Sequence, residues 1–132
     1  MSQEIFWLAA TALMTAVFWI PYVLNRMAAR GLMRTLGNPE ENDAPHAAWA
    51  ERSIKAHRNG IENFVIFAPL ALSVVVLGNG DSLTATACMI YFFARLAHFV
   101  VYTAGIPGLR TICFTVGWIV QAVLALRVMG IM

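Results

Sequence analysis

Ile5 to Leu24 is the stretch that most limits the possible folds, because these twenty consecutive residues carry no charged side chain. As an α-helix, twenty residues extend about 30 Å, which matches the hydrocarbon core of a bilayer. Trp7, Trp19 and Tyr22 lie towards its two ends, as aromatic residues do at membrane interfaces. Only 12% of the whole chain is charged, about half the fraction usual in soluble domains. The sequence therefore predicts an integral membrane protein that retains this first span instead of losing it as a signal peptide.

Three further apolar segments follow, separated by short polar turns. Together they predict an all-α fold, an integral membrane four-helix bundle that forms a single domain over residues 1-132. The expected spans are residues 4-30, 47-78, 82-104 and 109-131. Pro21 is expected to kink the first span, and Ser82 is expected to cap the third.

Basic residues are concentrated at one end of this predicted bundle. Six of the nine basic residues flank the first connection between spans, and Arg110 follows the third connection. The second connection has no basic residue, and its only charged residue is Asp81. The six are Arg26, Arg30, Arg34, Arg52, Lys55 and Arg58. Under the positive-inside rule, the first and third connections are therefore cytoplasmic, and both termini lie on the opposite side.

The second span begins with a polar face. Its uncharged part, Asn63 to Leu77, has fifteen residues, short of the ~20 that a span requires. Either the bilayer thins at this helix, or the helix sinks so that Arg58, Asn59 and Glu62 lie at membrane depth, where polar side chains face protein or a water-filled cavity. The alternative is a solvated helix face, which is the usual meaning of a run of charges.

The third span carries Arg95, His98 and Tyr102 on one face, because they follow one another at spacings of three and four residues. Counted from the turn between the second and third spans, Glu62 and Arg95 lie at a similar depth. We predict that they form a buried ion pair, so that Glu62→Gln lowers the melting temperature. The alternative for this face is a structural polar seam between helices.

Several functional classes find no support in the sequence. The net charge is +2 and the basic residues are interleaved with acids, so nucleic acid is not an expected partner. No Ser-His-Asp arrangement, Walker-type glycine loop or metal-ligand spacing is present, so no metal is expected. Cys88 and Cys113 are interpreted as buried reduced thiols. What remains is an anion-binding cleft at the cytoplasmic membrane edge, where a small charged ligand meets an apolar one.

Four segments carry motifs with defined spacing. The longest is Glu51-Arg52-x-x-Lys55-Ala56-His57-Arg58-Asn59-x-x-Glu62, followed by an apolar run. The others are Gly37-Asn38-Pro39-Glu40, Ala94-Arg95-x-x-His98-x-x-x-Tyr102 and Leu109-Arg110-Thr111. In this order, and over nearly the whole chain, they resemble the MAPEG family (membrane-associated proteins in eicosanoid and glutathione metabolism).

The resemblance implies a homotrimer of four-helix subunits that binds glutathione as a co-substrate between neighbouring subunits, at the cytoplasmic end. Arg110 matches the arginine that favours the ionised thiol in the leukotriene and prostaglandin synthase branches, so it is the candidate catalytic residue. The implied glutathione-binding residues are Arg30, Arg52, Lys55, His57, Arg58, Asn59, Glu62, Tyr102 and Thr111. The other implied partners are a hydrophobic small molecule or lipid and the surrounding membrane lipid.

Three departures separate the chain from the eicosanoid synthases. Lys55 stands where they carry an arginine, so a bidentate carboxylate clamp becomes a point charge. Phe114 stands where the prostaglandin branch has a tyrosine near the sulfur, and the turn before Arg110 is one residue shorter. These departures favour the bacterial members of the family, and with them a location in a bacterial inner membrane.

The expected function is that of a membrane-bound glutathione-dependent transferase or peroxidase acting on hydrophobic electrophiles. The alternative is a non-catalytic MAPEG-fold membrane protein that binds glutathione or lipid, which Lys55 and Phe114 support. A third class, a small transporter or channel subunit, is indicated by Arg95 and His98 in mid-membrane.

Overall fold

The computed structural model describes residues 1–132 as six α-helices without a β-strand. The helices are α1 (Gln3–Val17), α2 (Trp19–Arg30), α3 (Leu32–Leu36), α4 (Ala48–Val76), α5 (Ser82–Ala104) and α6 (Pro107–Val128). Four segments are long and apolar enough to cross a membrane, namely α1 with α2, then α4, α5 and α6. The predicted all-helical membrane bundle with four spans is therefore confirmed.

The first span is broken at Phe18, between α1 and α2. The Phe18 backbone N–H donates to the Thr15 carbonyl at 3.3 Å, which is a tighter turn than an α-helix makes. Pro21 has no N–H, so the Val17 carbonyl, four residues earlier, loses its helical partner. The helix is thus interrupted one turn before Pro21, the residue at which the kink was expected.

The cap of α5 and the first residue of α6 differ from those expected. The N-cap of α5 is Asp81, whose carboxylate accepts from the Thr84 backbone N–H at 3.0 Å while the Thr84 hydroxyl accepts from the Asp81 N–H at 2.8 Å. The cap predicted at Ser82 was therefore wrong by one residue. α6 begins at Pro107 instead of residue 109, because proline fits the first helical position, where its missing N–H would have no partner anyway.

The apolar core is divided into two clusters along the bundle. The larger one joins α4, α5 and α6 towards the chain termini, and its centre is a stack of Phe67 on Tyr91 with ring centroids 3.8 Å apart. The smaller one joins α1, α4 and α5 near the opposite end, around a stack of Phe18 on Phe99 at 3.9 Å. Polar side chains of α4 and α5 lie between these clusters, and they belong to the site described below.

The outer surface of the bundle is apolar. Only 23 of the 132 residues are buried, and large apolar side chains such as Leu13, Val65 and Val76 are 67%, 67% and 75% exposed. A contiguous apolar surface of this kind is a liability in water, whereas in a bilayer the acyl chains cover it without cost.

A buried carboxylate ties α1 to α5 at the end of the bundle that carries the termini. Glu4 is 5% exposed, and its Oε1 accepts a hydrogen bond of 2.6 Å from the Thr84 hydroxyl. Both residues lie in the first turn of their helices, where the backbone N–H groups favour negative charge. Glu4 therefore has a structural explanation that the sequence did not suggest.

The connection between α3 and α4, residues 37–47, is held by three arginines at the end of the first span, Arg26, Arg30 and Arg34, here called the basic stripe. Arg34 forms both an ion pair and a hydrogen bond with Asp43. Arg26 donates from Nε to the His46 imidazole at 3.0 Å. The arginines that recur every four residues, two on α2 and one on α3, therefore hold this loop.

Thr84→Val is expected to destabilise the bundle by about 2–3 kcal/mol, because it leaves the buried Glu4 carboxylate without its donor. Thermal unfolding in detergent measures the change. Thr84→Ser retains the hydroxyl and is expected to behave like the wild type, as is Thr86→Val at an exposed position of the same helix. Equal melting temperatures for the two valine variants would contradict this role of Glu4.

The ion pair between Arg34 and Asp43, which holds the loop of residues 37–47, is expected to be lost in acid. Hydrogen bonding from Arg34, followed by that from the Glu40 backbone N–H, holds the pKa of the Asp43 carboxyl below its ordinary value. A lowered pKa gives stability that is present above the unfolded pKa of about 3.9 and is lost as the pH falls through the folded value. The melting temperature of Asp43→Asn should therefore lie below that of the wild type at pH 7, and this gap should close below about pH 4. Glu41→Gln replaces a carboxylate that forms no ion pair, so its melting temperature should equal that of the wild type at every pH.

Candidate functional site

A cavity of about 200 Å³ opens at the end of the bundle where α5 turns into α6. Six residues from three helices line it: Asn59 of α4, His98 and Tyr102 of α5, and Arg110, Thr111 and Phe114 of α6. Four of the predicted site residues therefore share one cavity. Four of the six lining side chains are charged, amide, imidazole or phenol groups, so the cavity suits a polar ligand at the edge of an apolar bundle.

Arg110 is held over the face of Tyr102. Its guanidinium carbon lies 4.4 Å from the centre of the phenol ring, within the range of a cation–π contact. The Tyr102 ring in turn meets the His98 ring edge-to-face at 5.6 Å. The three side chains thus form a continuous wall, with the cation of Arg110 at its open end.

Arg95 lies behind this wall and is 3% exposed. Its Nη2 donates to Oδ1 of Asn59 at 2.6 Å and approaches Nδ1 of His98 at 3.3 Å. Its Nε is buried without a partner. Because Asn59 and His98 both line the cavity, a buried cation orients two of the lining side chains from behind.

The predicted ion pair between Glu62 and Arg95 does not form within this chain. Arg95 bonds to Asn59 instead, and Glu62 is exposed. At 100° per residue, Glu62 lies about 200° around α4 from the buried Gly60, so its side chain leaves the bundle. The sequence argument compared only the depths of the two residues along the helix axes, whereas the direction around α4 turns Glu62 away from Arg95.

Glu62 belongs to a row of charges on the outer face of α4. Glu51, Lys55, Arg58 and Glu62 are all exposed and recur at spacings of four, three and four residues. We call them the outer charge row. The inward-facing positions of the same helix are small, with Ala50, Ser53, Ala56 and Gly60 buried. In the single chain, none of the outer charge row reaches the cavity.

Three other predicted site residues have partners within the chain, away from the cavity. Arg30 donates from Nε to the Ala44 carbonyl at 2.7 Å. Arg52 donates from Nε to the Thr103 carbonyl at 3.0 Å, at the C-terminal end of α5, where a cation is favoured.

His57 is the third of these residues. Its Nδ1 lies 2.8 Å from the Tyr22 hydroxyl, which links α4 to α2. Its ring also meets the Phe18 ring edge-to-face at 6.0 Å. Both contacts connect the polar half of α4 to the first span.

His98 is a cavity residue that the sequence argument did not include among the site residues. It follows Arg95 by three positions and precedes Tyr102 by four, so the shared helix face was visible in the sequence. A structural polar seam was the alternative given for this face. In the structure His98 is 2% exposed and lines the cavity, with Nδ1 beside Arg95.

Gln121, on α6, connects two of the spans. Its side-chain amide donates to the Asn63 backbone carbonyl at 3.1 Å, which makes an interhelical hydrogen bond between α6 and α4. Asn63 in turn donates to Oδ1 of Asn59 at 3.2 Å. A short polar chain therefore continues from the cavity wall into the bundle.

Asn59→Leu is expected to destabilise the protein by about 2–3 kcal/mol, because it removes the hydrogen-bond acceptor of the buried Arg95 cation. Glu62→Gln, three residues away on the exposed face of α4, is expected to leave the melting temperature unchanged. Thermal unfolding of both variants in the same detergent tests the assignment. A larger loss for Glu62→Gln than for Asn59→Leu would restore the ion pair that the sequence predicted.

Comparison with known proteins gives one result that bears on this site. A family model described as the MAPEG family matches residues 5–130. No curated protein matches the chain. The matched range includes all four spans and every residue that lines the cavity.

Proposed function

Because this chain belongs to the MAPEG family, we propose that it is a membrane-bound glutathione-dependent transferase or peroxidase acting on hydrophobic electrophiles. The observation that carries the proposal is the convergence of Asn59, Tyr102 and Arg110 on one cavity. These side chains come from three different spans, α4, α5 and α6. A common ligand accounts for their meeting.

The cavity wall offers hydrogen-bond donors for an anionic peptide. Oδ1 of Asn59 accepts from Arg95 and from Asn63, so its Nδ2 remains available to donate. Arg110 supplies a cation, and charge-assisted hydrogen bonds to carboxylates are about twice as strong as neutral ones. Glutathione carries two carboxylates and a thiol, which matches a wall of donors with one free cation.

The single chain encloses only part of such a ligand. Sites for drug-sized molecules have about 300–1,000 Å³, whereas this cavity has about 200 Å³. The outer charge row supports a homotrimer, because charges on the outside of a membrane helix must face protein or water. In this proposal the remainder of the site is formed with a neighbouring copy, and Lys55, Arg58 and Glu62 contribute there, together with Arg30, Arg52 and His57 near the same end.

In the proposed reaction, Arg110 favours the thiolate form of glutathione, which is the nucleophile. The Tyr102 ring holds the guanidinium, so its direction is fixed before the thiol arrives. An electrophile dissolved in the bilayer is attacked by the sulfur, a carbon–sulfur bond forms, and the leaving group departs with the bonding electron pair. The protein contributes orientation of the two reactants and stabilisation of the sulfur anion.

A second candidate function is the binding of glutathione or lipid without catalysis, and two contacts favour it. The Thr111 hydroxyl donates to the Pro107 carbonyl at 3.3 Å, so its proton is directed into the helix. Phe114 lines the cavity and has no hydrogen-bond donor. Arg110 is then the only strong donor at this part of the wall.

The charge distribution supports an orientation in which the cavity opens to the cytoplasm. Arg110 and the basic residues of the first connection lie at the same end of the bundle, and the positive-inside rule directs that end to the cytoplasm. In this proposal the protein lies in a bacterial inner membrane, with both termini on the opposite side.

Arg110→Ala is expected to reduce the turnover of an aryl halide about 100-fold, as the loss of one group that stabilises a developing anion does. The dissociation constant of glutathione should rise less than about tenfold, because the peptide keeps its other contacts. Ultraviolet absorbance of the thiolate during glutathione titration measures binding and ionisation together. Arg110→Lys retains the charge and should show an intermediate loss, whereas Thr115→Val, one turn along α6, should show none.

The outcomes separate the two candidates. Equal losses of turnover and binding in Arg110→Ala would contradict the activating role. Thermal stabilisation of the wild type by glutathione, without conjugation or peroxidase activity, would favour the non-catalytic function. Absence of both stabilisation and thiolate absorbance would contradict both candidates.

A further inference from the structure

The short helix α3 presents an apolar face that no other part of the chain covers. Leu32, Met33 and Leu36 are 54%, 81% and 73% exposed. At 100° per residue, the three side chains lie within about 100° of one another, and Arg34 lies on the opposite side. The helix is therefore amphipathic, with its apolar face outward and its polar face towards the loop of residues 37–47.

The position of α3 along the membrane normal follows from the length of the first span. Gln3–Arg30 has 28 residues, which extend about 40 Å at 1.5 Å per residue. A bilayer with its headgroups is about 40–45 Å thick. α3 begins two residues after Arg30, so it starts at the level of the headgroups.

Gly31 turns the chain at this level. Its φ of 82° lies in the left-handed region, and its conformation ends α2, as glycine commonly does after a helix. α3 therefore leaves the direction of the first span instead of prolonging it into water. On the preceding helix α2, the apolar side chain of Leu24 is likewise 58% exposed.

The polar side of α3 is already occupied. Arg34 pairs with Asp43 and with Glu40 at 3.3 Å, and it donates to the Asn38 carbonyl at 2.9 Å. Arg30 faces Asp43 at 3.8 Å. These cations are neutralised within the chain, so they are not free to attract anionic headgroups.

We propose that α3 is an interfacial anchor that lies in the plane of the membrane, with Leu32, Met33 and Leu36 among the upper acyl carbons of the leaflet at this end. The partner is the lipid surface itself, recognised through apolar burial, as in other in-plane amphipathic helices. Through Arg34 and Asp43 the anchor also holds the loop of residues 37–47 against the headgroups. This inference does not depend on glutathione binding or catalysis.

Spin labelling tests the anchor in the full-length protein, reconstituted into phosphatidylcholine vesicles. Nitroxides are attached singly at Leu32→Cys, Met33→Cys or Leu36→Cys in a Cys113→Ala background, and Cys88 stays because it is fully buried. A high collision rate of the nitroxide with oxygen shows that the label lies in lipid. A high collision rate with a polar nickel complex shows that it lies in water. Leu24→Cys is the matched lipid-facing control, and Asn42→Cys is the water-facing control in the adjoining loop.

The labels in α3 should show an oxygen-to-nickel ratio roughly tenfold above that of Asn42→Cys, because a polar complex is excluded from hydrocarbon. Adding about 1 M salt, which shortens the Debye length to about 3 Å, should leave the ratio unchanged. A ratio equal to that of Asn42→Cys would place α3 in water and overturn the anchor. Protection from both reagents would also overturn it, because protein, such as a second copy of the chain, would then cover this face.

Discussion

The buried guanidinium of Arg95 is the constraint on which the rest of the site depends. It lies between the two apolar clusters, 3% exposed, and no carboxylate neutralises it. A cation in a membrane bundle has to find polar partners inside the protein. Asn59 and His98 serve that purpose, and both also line the cavity. The interaction that makes the charge tolerable therefore also sets the shape and the positive potential of the cavity wall.

The sequence predicted the four spans because each span is encoded by the hydrophobicity of one continuous segment of the chain. A run of about twenty uncharged residues has few alternatives to a membrane helix. The cavity was partly predictable, since Arg95, His98 and Tyr102 follow helical spacing and the family resemblance added Asn59 and Arg110. The partner of Arg95 was not predictable in this way. Asn59 and Glu62 differ by only about 4.5 Å in depth. Which of the two meets Arg95 therefore depends on which side of α4 faces the other helices of the bundle.

The basic stripe of the first span shows a second limit of sequence patterns. Arg26, Arg30 and Arg34 have the spacing of a ligand-binding row, but each has a partner in the loop that follows. Loop contacts leave no periodic signal, since Asp43 and His46 lie in a segment without regular structure. The outer charge row is the reverse case. It has helical spacing, and three of its members, Lys55, Arg58 and Glu62, form no ion pair within the chain, whereas Glu51 pairs with His46 at 3.0 Å. The three unpaired charges are consistent with a contact supplied by another molecule.

The bond between Glu4 and Thr84 has a consequence for the order in which the protein is assembled. Its two residues are separated by 80 positions, so the acceptor leaves the ribosome long before the donor. Until the third span enters the bilayer, the acidic start of the first span has no protein partner and has to stay hydrated at the membrane surface. The first helix is thus able to cross early, but it reaches its final depth only when the hairpin of α4 and α5 has been inserted.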